Sequence, residues 1–147
     1  MRQVQRSALV RHSASEMFSL VDDIELYPEF LPWCSDAVVH SRENGSVEAT
    51  LKLQRGDLSK SFRTRNTASG HDKIAMQLVD GPFRHLDGRW SFTQLGESGS
   101  KVALDLEFEF SSSVVDMLLG PFFEDICNSL VDAFTQRAEK VYGQAST

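Results

Sequence analysis

KVALDLEFEFSSSVVDMLLGPFFEDICNSLVDAFTQRAEKVY, residues 101–142, changes its apolar period within a few positions. Over 101–110 every second residue is apolar: Val102, Leu104, Leu106, Phe108 and Phe110 face one way, while Asp105, Glu107 and Glu109 face the other. That is a strand with one dry and one wet face. From Val114 to Tyr142 the spacing becomes three and four, with Leu118, Phe122, Ile126, Leu130, Phe134, Ala138 and Val141 forming one apolar stripe of a long helix. Gly120-Pro121 is expected to kink or interrupt its first turns. A half-dry sheet needs something laid across it, and this helix is the one segment long enough.

Upstream, the same two periods recur. Residues 3–10 suit a first strand, and Ser13 with Glu16 makes a capping-box pattern ahead of Met17, Phe18, Leu20, Val21 and Ile24. Period two then returns at 36–42, 47–54, 60–67, 73–79 and 84–94. Asn44-Gly45, Gly70, Gly81-Pro82 and Gly96 to Gly99 supply the turns. Short connections between successive strands predict an antiparallel meander, so the fold class is α+β, with residues 1–147 as a single domain. A chain of this length buries roughly 70% of its unfolded surface in one core.

Composition narrows the function. Hydrophobic residues make up 41% and charged residues 24% of the chain, which is ordinary for a globular protein. No apolar run reaches membrane-spanning length, and MRQVQRSALV lacks the pattern of a signal peptide, so a cytoplasmic location is expected. Cys34 and Cys127 are then expected as reduced, unpaired thiols. The net charge of −6 argues against a DNA-coating protein, but the charge is segregated. Lys52, Arg55, Lys60, Arg63 and Arg65 crowd into 52–65 against Asp57 alone, whereas 16–29 holds five acidic residues and no basic one.

YPEFLPWC, residues 27–34, concentrates three aromatics and two prolines, and the prolines disfavour helical geometry at Tyr27 and Leu31. With its flanks, in ASEMFSLVDDIELYPEFLPWC, it closely resembles the signature of the START-like proteins that include the bacterial ribosome-association toxins and the mitochondrial coenzyme Q-binding proteins. The resemblance continues through GPFRHLDGRWSF (81–92) and GPFFEDICNSLVDAF (120–134). It implies a helix-grip fold: a seven-stranded antiparallel sheet wrapped around the C-terminal helix, with short helices between strands 1 and 2 closing one end of a hydrophobic tunnel. It also implies two roles. One is holding a hydrophobic molecule such as ubiquinone or another polyprenyl lipid in support of respiration, with no cofactor required. The other is a toxin of a toxin-antitoxin pair that binds the large ribosomal subunit and blocks subunit association. A third relative class, polyketide cyclases and aromatases, needs only a polar residue or two in the cavity.

The residues offer two candidate surfaces. Tyr27, Phe30, Leu31 and Trp33 would form a non-helical lid at the tunnel mouth or plug the end of the core. Leu51, Leu53, Phe62, Met76, Leu78, Trp90 and Phe108, with Phe122, Ile126 and Leu130 of the helix, would either fill the interior or line a ligand cavity. Thr64, Asn66 and Gln77 are the polar candidates inside it. On the wet face, Lys52, Arg63 and Arg65 project together, with Arg55 and Lys60 in the adjoining hairpin and Arg84 and Arg89 two strands on. That patch suits an anionic partner: ribosomal RNA, or a membrane surface touched transiently at the inner membrane. The acids of the last strand lie too far off in the meander to neutralise it. No G-x-S-x-G elbow, phosphate loop or metal-spaced histidine pair is present, so a binding protein without catalysis is expected.

Overall fold

The computed structural model describes residues 1–143. Strand β1 (Arg2–Val10) leads into α1 (Ala14–Asp22) and a short 3-10 segment, Ile24–Glu29. Six further strands follow: β2 (Cys34–Glu43), β3 (Ser46–Arg55), β4 (Leu58–Ser69), β5 (Lys73–Asp80), β6 (Phe83–Leu95) and β7 (Gly99–Phe110). The chain then closes with α2 (Ser113–Tyr142). The seven strands form one antiparallel sheet in the order β1-β7-β6-β5-β4-β3-β2, with β1 folding back onto β7. The helix-grip arrangement expected from the periodicity and the resemblance is the one observed.

Local chemistry explains most boundaries. The Glu16 amide donates to the Ser13 hydroxyl at 3.1 Å, and the Ser13 amide donates to the Glu16 carboxylate at 2.9 Å, so both members of the capping box are engaged. Asn44 and Gly45 both take positive φ in the β2-β3 turn. Gly56 does the same in a two-residue turn that leaves Arg55 at the end of β3 and places Lys60 inside β4 rather than in the hairpin. Strands β2 and β4 are longer than the sequence pattern predicts, because pairing to β3 extends them past the last alternating apolar residue. At the free edge of the sheet, β2 carries two register shifts, between Cys34 and Asp36 and between Val39 and Ser41.

Three expectations change. Leu118 and Val141 are exposed, and the buried stripe of α2 runs instead through Leu119, Phe123, Ile126, Cys127, Val131, Phe134 and Ala138. The pairs Leu118-Leu119 and Phe122-Phe123 put two apolar residues on each early turn, so spacing alone does not choose between neighbouring phases. Gly120-Pro121 does not interrupt the helix, which is continuous over 30 residues. Pro121 forfeits one intrahelical bond on the exposed side. Gly120 leaves room for Arg2 to cross the helix: a Cβ would lie 2.5 Å from Nη2 of Arg2 and push aside a guanidinium that pairs with Asp116 at 2.9 Å and Glu124 at 3.1 Å. Lastly, Tyr27 sits in a 3-10 turn despite Pro28, with the Phe30 and Leu31 amides both donating to the Tyr27 carbonyl. A turn this short tolerates the missing proline N–H.

The interior divides into two packed clusters. One gathers α1, the 3-10 segment and the C-terminal half of α2 around Phe92, Trp90 and Phe134. The other is an aromatic nest of Phe62, Phe83, Phe108, Phe110 and Phe123 beneath the first turns of α2. Trp33, Leu51, Met76 and Leu130 touch both.

Candidate functional site

Where the clusters meet, side chains from sheet and helix stop short of one another and leave a hollow of about 70 Å³. Its walls are formed by the four bridging residues Trp33, Leu51, Met76 and Leu130, with Tyr27, Phe62, Trp90 and Ile126. Those eight are among the residues proposed from the sequence, and the structure brings them together. Six others lie elsewhere. Leu31, Leu53 and Phe108 are consumed by the packed clusters, at 1%, 2% and 0% exposure. Leu78 packs at the margin of the aromatic nest. Phe30 packs edge-on against Phe134, and Phe122 lies beneath the Arg55 guanidinium at 5.3 Å, outside the hollow.

The wall also includes Ile24, Ala49, Leu86, Leu104, Leu106, Phe123, Cys127 and Phe134. Strand alternation already carried Ala49, Leu86, Leu104 and Leu106, which share the inward parity of their neighbours. Phe123 and Cys127 follow only from the corrected helix phase. Thr64 and Asn66 line the hollow as well, and the Thr64 hydroxyl donates to the Asn66 side-chain carbonyl at 3.0 Å. That leaves the Asn66 amide nitrogen as the pair's remaining donor. Gln77 does not line it: Met76 and Leu78 face inward on β5, so alternation turns Gln77 to the exposed face.

Size limits what this site holds at rest. Pockets for drug-sized ligands run to about 300–1,000 Å³. A hollow of about 70 Å³ is a seam between cores rather than the open tunnel the resemblance implies. The 3-10 segment, which walls one side of the hollow with Ile24 and Tyr27, is fastened. The Tyr27 hydroxyl donates to the Val21 carbonyl. Arg137 of α2 stacks on Phe30 at 4.9 Å and pairs with Glu29 at 3.3 Å. The thiols nearby are passive: burial pushes Cys34 up to about 11 and raises Cys127 well above the ordinary thiol range.

The outer face is organised by cross-strand register. Glu48 of β3 stands opposite Arg65 and next to Arg63 of β4, and both guanidiniums pair with its carboxylate. Hydrogen bonding from Arg63 first, and then from Arg65, holds Glu48 below the usual carboxylate range. The basic cluster is thus partly neutralised from within, an arrangement the clustering of cations in 52–65 did not reveal. Two arginines on one carboxylate still leave a net positive charge, and the Arg63 Nε is buried without a partner among the described residues. Lys52 is exposed beside them on the same face, whereas Lys60, opposite the buried Leu53, has the inward parity of Phe62 and is exposed at the end of β4. Arg84 and Arg89 do not extend the patch. They lie on β6, directly beside β7, where Arg84 pairs with Glu109 at 3.8 Å and Arg89 stands opposite Asp105. The acidic strand is remote from β4 but adjacent to β6, so the expectation that it neutralises none of these cations fails for these two.

The histidines occupy four separate environments. His12 is buried 6.0 Å from the Tyr142 ring, His40 meets the Thr50 hydroxyl at 2.7 Å, His71 stacks on Phe18, and His85 pairs with Glu107 at 3.1 Å. Among the described residues no helix is long and apolar enough to cross a membrane.

Comparison with known proteins agrees with this architecture. The family model described as "Polyketide cyclase / dehydrase and lipid transport" matches residues 10–135. The ribosome association toxin RatA of Vibrio cholerae is 46% identical over 98% of this chain and 100% of its own length. A mitochondrial coenzyme Q-binding protein COQ10 homolog B from Xenopus laevis is 27% identical, over 94% of this chain and 58% of its own. Among solved structures, the Zhui aromatase/cyclase of Streptomyces sp. R1128 superposes with a TM-score of 0.85, covering 97% of this chain and 98% of that one at 15% identity, a likeness of fold alone. The gripped helix, the YPEFLPWC segment over one end of the core and a near-full-length match to RatA point one way: the chain belongs to the START-like polyketide cyclase/dehydrase and lipid transport family.

Proposed function

We propose that this chain is a ribosome-associating protein of the RatA type, acting in the cytoplasm without catalysis and contacting the large subunit through the outer face of β3 and β4. The identity of 46% with a protein named for ribosome association, spanning that protein's whole length, is the observation that carries this reading. The outer face supplies cations for such a contact: Lys52, Arg63 and Arg65 project from it, interleaved with Glu48, with Asp36 opposite Lys52 and with Asp80 opposite Arg63. A protein held on RNA at this face would obstruct whatever surface must meet the other subunit.

Sedimentation with purified ribosomal subunits across a potassium chloride series tests the reading. Binding should weaken with salt, and Lys52→Gln should reduce the log-log slope by about one. Lys52 is a better probe than Arg63 and Arg65, whose loss would also release Glu48. Absence of ribosome binding at low salt would sink the reading. Binding indifferent to salt and to Lys52 would remove this face from it.

The hollow supports a second role alongside the first: sheltering a hydrophobic molecule with a carbonyl for the Asn66 amide, such as a polyprenyl quinone, after the 3-10 segment swings away. At about 0.8 kcal/mol per buried methylene, an apolar seam binds a tail without further polar contacts. An organic extract of protein purified gently from its native host should contain such a lipid by mass spectrometry. An extract of buffer components alone counts against it.

A further inference from the structure

We propose that the outer face of β6 and β7 carries a divalent transition-metal site formed by His85, Asp87 and Glu107. The β3-β4 face proposed for the ribosome lies on the other side of β5, so the proposal stands apart from that reading. Three side chains converge for reasons of strand geometry. His85 and Asp87 are two apart on β6 and project from the same face, and Glu107 of β7 stands directly opposite Asp87. One donor atom from each lies within 4.8 Å of the other two.

The spacing is close to what an ion demands. With metal-nitrogen and metal-oxygen bonds of about 2.0–2.2 Å, neighbouring donors on one ion stand about 3.0–3.4 Å apart. His85 Nε2 and Glu107 Oε1 are already 3.1 Å apart, the spacing of neighbouring ligands, and small side-chain rotations would turn both lone pairs onto an ion set to one side of the line between them. Asp87 needs only a side-chain rotation to close the third corner.

Charge favours occupancy. Two carboxylates and a neutral imidazole balance a divalent ion, and the guanidinium of the adjoining Arg84 is engaged by Glu109 at 3.8 Å. An imidazole donor selects against magnesium and calcium, whereas mixed nitrogen and oxygen donors on a half-exposed sheet suit zinc, cobalt or manganese. The remaining coordination positions would be held by water.

Calorimetric titration of the full-length, chelator-treated protein with Zn²⁺ is expected to show one site. Affinity should drop at least about tenfold in Glu107→Gln and in Asp87→Asn. Both positions are on the wet face, and an unchanged circular dichroism melt would confirm that each variant is folded. Substoichiometric Mn²⁺ should broaden the amide resonances of residues 85–88 and 105–108 first. Full-affinity Zn²⁺ binding in Glu107→Gln, absence of Zn²⁺ binding by the parent, or Mn²⁺ broadening centred elsewhere overturns the site.

Discussion

The Tyr27 hydroxyl donates to the main-chain carbonyl of Val21, tying the 3-10 segment to the last turn of α1 from within the core. Tyr27 is 8% and Val21 2% exposed, so the bond is buried. Tyr27→Phe keeps the ring and its contact with Phe134 but orphans the acceptor. Urea unfolding should show a loss of about 1–3 kcal/mol. An unchanged midpoint would mean the segment is held by Phe30 and Arg137 alone.

Gly88 offers a probe of the hollow. A Cβ there would lie 2.6 Å from Leu106 Cδ1 and 2.7 Å from Met76 Cε, and both of those residues line the seam. Gly88→Ala should drive them into the empty space, with a loss of about 1–3 kcal/mol. Binding of a hydrophobic fluorophore should fall in parallel. Unaltered fluorophore binding in the folded variant would locate the apolar binding surface outside the seam.

Thiol reactivity follows from burial. With Cys34 raised to about 11, only about one molecule in a thousand carries the thiolate at pH 8, and Cys127 is more strongly suppressed. Ellman's reagent should label neither residue in the folded protein and both in urea. Rapid labelling of one thiol under native conditions would reveal an opening that exposes it.

Acid should act on Glu48 in a defined direction. Its folded-state pKa lies below the ordinary value of 4.5 because Arg63 and Arg65 favour the carboxylate. The stabilisation is therefore fully present above the unfolded pKa and is lost as pH falls through the folded one. Asp116, held low by Arg2, adds a slope of the same sign. Between pH 6 and pH 3 the urea midpoint of Glu48→Gln should decline less steeply than that of the parent. Parallel declines would assign the acid sensitivity to other groups.

Period and turn chemistry are local properties, which is why the strands, the capping box at Ser13 and Glu16 and the element order can be read before any coordinates. The phase of α2 is different. Leu118 and Leu119 are equivalent to a periodicity count, and only the position of the sheet decides which is buried. Gln77 could have been excluded from alternation alone, because Met76 and Leu78 had already taken the inward side. The Glu48 pairings required the β3-β4 register, and the separation of Arg84 from the basic patch required knowing that β6 borders β7. The site was half readable for the same reason: parity indicates which side chains point inward, but a void is defined by what fails to meet across it.

The two register shifts in β2 bear on how the molecule behaves in a crowded solution. An exposed edge strand is a template on which a second chain can assemble, and a regular ladder from Cys34 to Glu43 would invite such stacking. Each offset breaks the even spacing of free amides and carbonyls, so an incoming strand cannot stay in step beyond a few residues. The irregular border is thereby a poor template for stacking on the β2 side of the sheet.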